Sequence, residues 1–234
     1  MEINSFTNIG KRKSNDDVIL VEKLNNEATL CLIADGMGGY SNGGKAASII
    51  VENIKTYLEY SKEFNAEGIK NAIKKANLAI KQESNFSEER MGATIGGVLV
   101  NKNCYIAFWV GDVKIFAFKG NDLVFESKAH TLVNALKEKS ENISAISIEK
   151  IKHVVTKSIQ GDLLNNEVEV STIDQLLSGD TIVICSDGVH DIIDGNTISF
   201  ILSKNNNITL SLNEIRNRCE KEAIDNYSLI SICI

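Results

Sequence analysis

The feature that most constrains this chain is a set of short, almost wholly apolar segments, each bounded by Gly, Asn or Asp. Their β-branched and aromatic residues predict strands, and their sequences are TLCLIA, GATIGGVLVN, NCYIAFWV, VKIFAF, DTIVIC and NYSLISICI. Because several of them are apolar nearly throughout, both faces of these strands are expected to be covered. An earlier segment, VILVEKL, predicts one more strand.

Helical periodicity is confined to a few segments. Apolar residues recur at helical spacing over 44–60 and again over 69–80, which predicts two long helices in succession. The helical spacing is weak over 148–155 and clearer over 210–224. The polar stretch 128–166 predicts a long surface segment with short helices. Since the long helices cluster rather than alternate with strands, the chain is expected to be an α+β protein built in layers.

Composition narrows the class of protein. The 234 residues fit one large domain or, as an alternative, two small ones, and a 43% apolar content is enough for a core. A net charge of −6 argues against nucleic acid or an anionic membrane as the main partner. No apolar stretch approaches the roughly 20 residues of a membrane span, and no signal segment is visible. Five scattered cysteines predict reduced core residues in a cytoplasmic protein.

Aspartates stand where several predicted strands begin or end. They are Asp16, Asp17, Asp35, Asp112, Asp187 and Asp225. One such residue is usually a turn or a helix cap. A set from distant parts of the chain predicts convergence around cations, because carboxylates brought together would otherwise repel one another. Oxygen-only ligands select Mg²⁺ or Mn²⁺, and two such ions can activate water and hold a phosphoryl group.

Two further elements flank these acids. Glycines in ADGMGGYSNGGKAAS let the backbone turn tightly beside Asp35, so that a carbonyl can reach a metal. The pattern lacks the GxxxxGKS spacing and does not support a nucleotide P-loop. Arg12, five residues before Asp17, is a candidate to hold two phosphate oxygens, although an arginine taken alone is more often a solvated surface residue.

Taken in order, these motifs resemble the metal-dependent protein serine/threonine phosphatases of type 2C, in their compact bacterial form. The segments that carry the resemblance are RKSNDD, ADGMGGYSNGGKAAS, MGATIGGVLV, WVGDVKIFAF, VVTKSIQGD, ICSDGVHDII and DNYSLISICI. They cover nearly the whole chain. The resemblance implies a four-layer α-β-β-α sandwich, with two central antiparallel sheets flanked by helices. It also implies a single catalytic domain, 1–234, with a flap over approximately 128–160.

The resemblance implies a catalytic set of three aspartates and a cofactor. Asp35 would bridge two Mn²⁺ or Mg²⁺ ions, and the carbonyl of Gly36 would complete one of them. Asp187 and Asp225 would bind the other ion.

Further roles follow from the same resemblance. Asp17 would act through water, and Arg12 would bind the substrate phosphate. Asp112 and Asp191 match positions that bind a third, weaker ion in bacterial relatives. Met37 stands where animal relatives carry a candidate acid histidine.

The implied activity is hydrolysis of phosphoserine and phosphothreonine on proteins by water activated at the binuclear centre. It would reverse a serine/threonine kinase in bacterial signalling, in a cytoplasmic monomer with no nucleic-acid or membrane partner. A non-catalytic phosphoprotein-binding module of the same fold is an alternative, and it predicts that Asp35, Asp187 or Asp225 is missing. A narrower alternative keeps the enzyme but restricts it to one regulatory partner. His190 is expected to face solvent, and Trp109 to lie in the core.

Overall fold

The computed structural model describes residues 1–37, 42–102, 104–139, 151, 153–163, 167–205 and 207–234. The strands within these ranges are β1 (Glu2–Asn8), β2 (Asp17–Leu24), β3 (Ala28–Gly36), β4 (Ala93–Asn101), β5 (Cys104–Val110), β6 (Lys114–Lys119), β7 (Asp122–Glu126), β8 (Glu169–Ile173), β9 (Thr181–Cys185) and β10 (Tyr227–Cys233). The helices are α1 (Gly43–Ser61), α2 (Ala66–Ser87), α3 (Leu132–Glu138), α4 (Asp187–His190), α5 (Gly195–Lys204) and α6 (Ile208–Glu222).

The strands form two five-stranded antiparallel sheets. One has the order β1-β10-β9-β6-β7 and the other β2-β3-β4-β5-β8. Successive side chains of a strand point to opposite faces, and β3 shows the consequence. Leu30 and Leu32 belong to the cluster that includes α1 and α2, whereas Cys31 and Ile33 pack in the cluster between the two sheets. Nearly continuous apolar strands are therefore buried on both faces.

Helices cover the two outer faces. The outer face of the sheet that contains β3 packs against α1 and α2, and the outer face of the other sheet packs against α5 and α6. The order of layers is helix, sheet, sheet, helix, which confirms the predicted α+β class and the four-layer sandwich. Trp109 lies in the core between the sheets, as expected.

Most of the predicted elements are present. The periodic segments 44–60, 69–80 and 210–224 form α1, α2 and α6. In the weakly periodic segment 148–155, residue 151 is helical and 153–155 are not, while 148–150 and 152 lie outside the described residues. No helix in the described ranges is both long and apolar enough to cross a membrane.

The cysteines are free, as predicted, but they are not all core residues. Cys31, Cys185 and Cys219 are buried, whereas Cys104 is exposed. Cys104 opens β5 directly after the turn that follows β4, and the end of a hairpin leaves its first side chain in solvent.

Candidate active site

A cleft lined by acidic side chains opens where β2 begins and β3 ends. Its volume is about 840 Å³. The carboxylates that line it come from separate places in the chain, namely Asp16, Asp35, Asp112, Asp187 and Asp225. Three consecutive bases, residues 11–13, line it as well. The cleft therefore offers places for cations and for an anion side by side.

Close backbone packing places Asp35 in this cleft. Asp35 stands near the end of β3 and pairs with Asp17 of β2. The following residue, Gly36, donates its N–H to the carbonyl of Asp16 at 3.2 Å. A Cβ at Gly36 would lie 2.4 Å from the carbonyl carbon of Gly43, at the start of α1. Only glycine allows this approach, so the end of β3 and the start of α1 are held tightly beside the carboxylate.

Asp35 and Asp187 are partly buried and face other carboxylates. Withdrawal from water raises the pKa of Asp35 well above its usual value, and the charges of Asp187 and Asp17 raise it further. The pKa of Asp187 is also raised well above the usual value, first by withdrawal from water and then by Asp112 and Asp225. These acids share one electrostatic field, which a cation between them would relieve.

Asp17 lies behind the cleft. It is buried, and the hydroxyl of Ser186 donates to its Oδ2 at 2.8 Å. Burial raises the pKa of Asp17 to about 6. Because Ser186 directly precedes Asp187, Asp17 ties the start of β2 to the segment that carries a second cleft acid.

Arg12 pairs with Asp225. Its Nε donates to Oδ1 at 2.8 Å and its Nη2 to Oδ2 at 2.5 Å. This pairing raises the pKa of the Arg12 guanidinium. The Arg12 side chain nevertheless stays 51% exposed. A planar guanidinium that fits a carboxylate also fits a phosphate, and that of Arg12 lines the cleft.

The two acids expected at a third ion lie near each other. Asp112 is buried, and Asp191 follows the last residue of α4 with its side chain 35% exposed. Burial raises the pKa of Asp112; the charge of Asp191 adds to this effect, and His153 opposes it. The Nδ1 of His153 lies 3.3 Å from Oδ2 of Asp191. His153 therefore brings the flap into contact with this side of the cleft.

The expectation that His190 faces solvent is wrong. Its side chain is only 11% exposed, and its Nε2 lies 3.0 Å from the carbonyl oxygen of Asp112. Since a carbonyl accepts, Nε2–H donates. Burial lowers the pKa of His190 to about 3, which keeps the ring neutral. His190 thus supports the backbone that carries Asp112.

The donor set of the cleft fits hard divalent cations. The clustered acids supply only oxygen donors. The raised pKa values of Asp35 and Asp187 reflect negative charges held close together in a poorly hydrated place. In the ranges that the structure describes, no three His, Cys, Asp or Glu side chains already form a compact set of ligands. Asp225 is paired with Arg12, and Asp17 with Ser186, so an ion would compete for these oxygens.

Comparison with known proteins identifies the family. The family model described as "Protein phosphatase 2C" matches residues 7–223. The chain belongs to the protein phosphatase 2C family. Among curated relatives, protein phosphatase PhpP of Streptococcus pneumoniae is 26% identical over 211 residues, which cover 87% of this chain and 85% of PhpP.

Solved structures confirm the fold. The serine/threonine phosphatase of S. agalactiae superimposes with a TM-score of 0.89 at 22% identity, covering 100% of this chain and 99% of that one. The catalytic domain of the phosphatase PstP, in complex with two manganese ions, superimposes with a TM-score of 0.79 at 20% identity, covering 98% of this chain and 96% of that one. The predicted enzyme class is confirmed: the chain is a protein serine/threonine phosphatase of the metal-dependent 2C type. The manganese in the PstP structure agrees with the predicted Mn²⁺ or Mg²⁺ cofactor.

The segment expected to form the flap, 128–160, is called the flap here. It begins with contacts to the end of β5. The indole N–H of Trp109 donates to the carbonyl of Lys128 at 2.9 Å. Gly111 and His130 are joined twice: the Gly111 N–H donates to Nδ1 of His130 at 3.0 Å, and the His130 N–H donates to the Gly111 carbonyl at 2.8 Å. The start of the flap is therefore fixed to the turn that precedes Asp112.

The C-terminal part of the flap pairs with its N-terminal part. Thr131 and Val155 form an isolated antiparallel bridge, and the N–H of Leu132 donates to the carbonyl of Val154 at 2.8 Å. Residues 140–150 and 152 of the expected flap lie outside the described residues. The return segment brings His153 and Val155 to the cleft.

The sequence analysis assigned no role to three residues that line or support the cleft: Asn226, His130 and His153. Asn226 lines the cleft and binds the loop that carries Arg12. His130 holds the Gly111 turn, and His153 reaches Asp191. The one available signal was the position of Asn226, directly after Asp225 in the DNYSLISICI motif.

Proposed function

We propose that this phosphatase hydrolyses phosphoserine and phosphothreonine side chains of proteins at the acidic cleft, with Mn²⁺ or Mg²⁺ bound there. The observation that carries the proposal is the convergence of Asp35, Asp187 and Asp225 from distant segments, beside Arg12. The family supports the reaction class, and the mutual pKa effects of the acids support a cation site.

Five residues are proposed to hold the two ions. Asp35 would contact both, with the Gly36 carbonyl on one ion and Asp187 and Asp225 on the other, while Asp17 would act through water. When bound, the ions supply an activated water and neutralise charge on the phosphoryl group. The chain itself supplies the close Gly36–Gly43 packing and the Ser186–Asp17 hydrogen bond, which keep these oxygens in place.

Arg12 is proposed to bind the substrate phosphate. Its guanidinium already presents two parallel donors to a planar anion, the carboxylate of Asp225. On substrate binding it would exchange this carboxylate for two phosphate oxygens, which frees Asp225 for an ion. The exchange conserves two charge-assisted hydrogen bonds, so its cost is small.

The same proposal includes a third ion, the extent of the domain and its flap, the source of the substrates, the compartment and the oligomeric state. Asp112 and Asp191 would hold a third, weaker ion, and the chain 1–234 would act as one catalytic domain whose flap, 128–160, helps to select substrate. We further propose that the substrates are targets of a serine/threonine kinase and that the enzyme is a cytoplasmic monomer. The free cysteines are consistent with a reducing compartment.

The alternative, a non-catalytic phosphoprotein-binding module, is less well supported. That function would tolerate the loss of a catalytic acid, but Asp35, Asp187 and Asp225 are all present and all line the cleft.

Release of phosphate from a phosphothreonine peptide tests the reaction. We expect turnover with Mn²⁺ and none with a chelator. Asp35→Asn should lower kcat/KM by more than about 100-fold, because even the partners that only orient metal ligands usually contribute 10–100-fold. Asp122→Asn, at the exposed start of β7, is the matched control and should keep full activity. No turnover by the wild type with Mn²⁺, or an active Asp35→Asn enzyme, would refute the proposal.

The role of Arg12 has its own test. Arg12→Ala should raise KM about tenfold and lower kcat less, because a charge-assisted contact to the ground-state phosphate is lost. Arg12→Lys keeps the charge but not the two parallel donors, so its KM should lie between those of wild type and Arg12→Ala. A fall in kcat at unchanged KM would contradict this role.

A further inference from the structure

The loop that carries Arg12 is held by one buried side chain. This loop, residues 9–16, is called the basic loop here; it leads from β1 of one sheet to β2 of the other. Asn226 precedes β10, is only 6% exposed, and directs its amide at the loop. We infer that Asn226 is a positioning residue that fixes the basic loop so that Arg12 faces the substrate phosphate. The inference rests on the proposed function of Arg12.

The Asn226 amide uses its donors and its acceptor on the basic loop alone. Nδ2 donates to the carbonyl of Ile9 at 2.8 Å and to the carbonyl of Ser14 at 2.8 Å. Oδ1 accepts the N–H of Asp16 at 2.9 Å. An amide has two N–H donors, and both are used. The three bonds reach the beginning and the end of the loop, so they fix its span as well as its distance from β10.

One of these bonds leads directly to Arg12. The carbonyl of Ile9 that accepts from Asn226 also accepts the backbone N–H of Arg12 at 3.3 Å. Asn226, Ile9 and Arg12 thus form a continuous chain of hydrogen bonds. The side chain of Arg12 then returns to Asp225, the neighbour of Asn226.

The backbone of the loop lies directly against this part of the chain. Gly10 has a φ of +60°, and a Cβ there would lie 2.0 Å from the carbonyl oxygen of Asp225. A loop packed this closely has one arrangement while its hydrogen bonds are intact. Without the Asn226 amide, the Ser14 carbonyl and the Asp16 N–H lose their partner, and the Ile9 carbonyl keeps only the N–H of Arg12. The loop therefore gains conformational freedom. Substrate binding must then order it again, and this entropy cost weakens phosphate binding.

A double-mutant cycle tests the inference in the full-length, Mn²⁺-loaded enzyme with a phosphothreonine peptide. The four proteins are wild type, Arg12→Ala, Asn226→Ala and the double variant. We expect Asn226→Ala to raise KM about three- to tenfold, less than or equal to the effect of Arg12→Ala, with a smaller change in kcat. The double variant should have the KM of Arg12→Ala alone, because a residue that acts through Arg12 has no effect once Arg12 is gone.

Asn77→Ala is the control for a loss of stability alone. Asn77 is also a buried asparagine that binds a loop: it donates to the carbonyl of Asp162 and accepts from the N–H of Gly161. It lies on α2 and does not line the cleft. Its alanine variant should lose stability as Asn226→Ala does, yet keep the wild-type KM. If Asn226→Ala does not fold, Asn226→Asp, which keeps the shape and the acceptor for Asp16, takes its place at saturating Mn²⁺.

The outcomes separate the inference from the proposed function. If Arg12→Ala leaves KM unchanged, the proposed role of Arg12 fails, and the inference fails with it. If Arg12→Ala raises KM but the Asn226 variants do not, the inference alone is overturned. It is also overturned if the two effects multiply in the double variant, or if Asn226→Ala shifts the Mn²⁺ activation midpoint without a change in KM at saturating Mn²⁺. That last result would mean that Asn226 acts through Asp225.

Discussion

Asp35 combines two properties that a folded chain normally keeps apart, withdrawal from water and several neighbouring negative charges. Both raise its pKa, and the neighbours that contribute most are Asp187 and Asp17. The guanidinium of Arg12 does not offset these charges at Asp35, because it pairs with Asp225. In the metal-free protein this carboxyl therefore lowers the free energy of unfolding, and a bound ion would reverse its contribution.

Asp35→Asn should make the metal-free protein more stable. Asparagine keeps the shape and removes the charge, so in EDTA the free energy of unfolding should rise by about 1–2 kcal/mol, a typical gain when a strained active-site group is replaced. Urea unfolding at pH 7.5 measures it. The same variant should be inactive with Mn²⁺.

Asp122→Asn is the reference for that measurement. It removes one exposed negative charge away from the cleft and should change stability by less than about 0.5 kcal/mol. If Asp35→Asn is no more stable than wild type in EDTA, repulsion at Asp35 is not a significant cost of folding.

At the scale of elements, burial decides what the sequence can predict. The strands β3, β4, β5 and β6 are buried on both faces, and their apolar runs predict them directly. The strands that sequence reasoning missed, β1, β7 and β8, lie at sheet edges and are largely exposed or half-buried. Edge strands keep polar residues on much of their surface, so only their pairing with a neighbour makes them strands.

In the site, too, some residues are marked by a sequence pattern and others are defined only by contacts in the folded chain. Asp35, Asp112, Asp187 and Asp225 were predictable because a carboxylate at the end of an apolar strand is conspicuous. Asn226 was not, because its partners are backbone atoms of a loop more than 200 positions away, and any residue type supplies those atoms. A pattern of side chains contains no record of such contacts.

The flap is attached to the body of the protein through His130. Its Nδ1 accepts the N–H of Gly111, so the neutral ring carries its proton on Nε2, which lies 3.7 Å from Oε1 of Glu169. Burial lowers the pKa of His130 and Lys157 lowers it further, while Glu169 and Glu138 raise it. A second proton would have to sit on Nδ1, where it would face the Gly111 N–H. Protonation therefore breaks this contact of the flap.

Acid should accordingly weaken the protein through His130. In the unfolded chain the imidazole of His130 takes up a proton near pH 6.5, whereas in the folded chain its lowered pKa delays this to lower pH. Between the two pKa values the unfolded state binds more protons. The free energy of unfolding therefore falls as the pH is lowered, by up to about 1.4 kcal/mol per pH unit. His130→Asn keeps an acceptor for Gly111 but does not titrate. Its free energy of unfolding in EDTA should therefore fall less than that of wild type between pH 7.5 and pH 5.5.

The carboxyl groups of the cleft are present in both proteins, so the difference between the two pH profiles isolates His130. His130→Gln, which has no acceptor at the Nδ1 position, should be less stable than His130→Asn at pH 7.5. Parallel pH profiles for wild type and His130→Asn would show that the imidazole is not held neutral by the fold.

For the whole molecule, part of the net charge of −6 is concentrated at one cleft. Seven of the 31 acidic residues lie in or beside this cleft, and Arg12 pairs directly with one of them, Asp225. The excess therefore says little about the rest of the surface. It also means that the two sheets, which meet at this cleft through β2, β3 and β10, are held together against the repulsion of their own site.

Divalent ions should consequently stabilise the whole fold and not only the cleft. At 100 times its dissociation constant, an ion that binds only the folded state adds about 2.7 kcal/mol. For a domain of this size each kcal/mol shifts Tm by about 2–4 °C, so Mn²⁺ should raise Tm by roughly 5–10 °C over EDTA. NaCl at equal ionic strength screens charges without occupying the site and should give a much smaller shift.

Asp35→Asn should begin with a higher Tm in EDTA and gain little from Mn²⁺. If NaCl reproduced the Mn²⁺ shift, or if Asp35→Asn gained as much as wild type, the ions would be acting by screening alone and the cleft would not be their binding site.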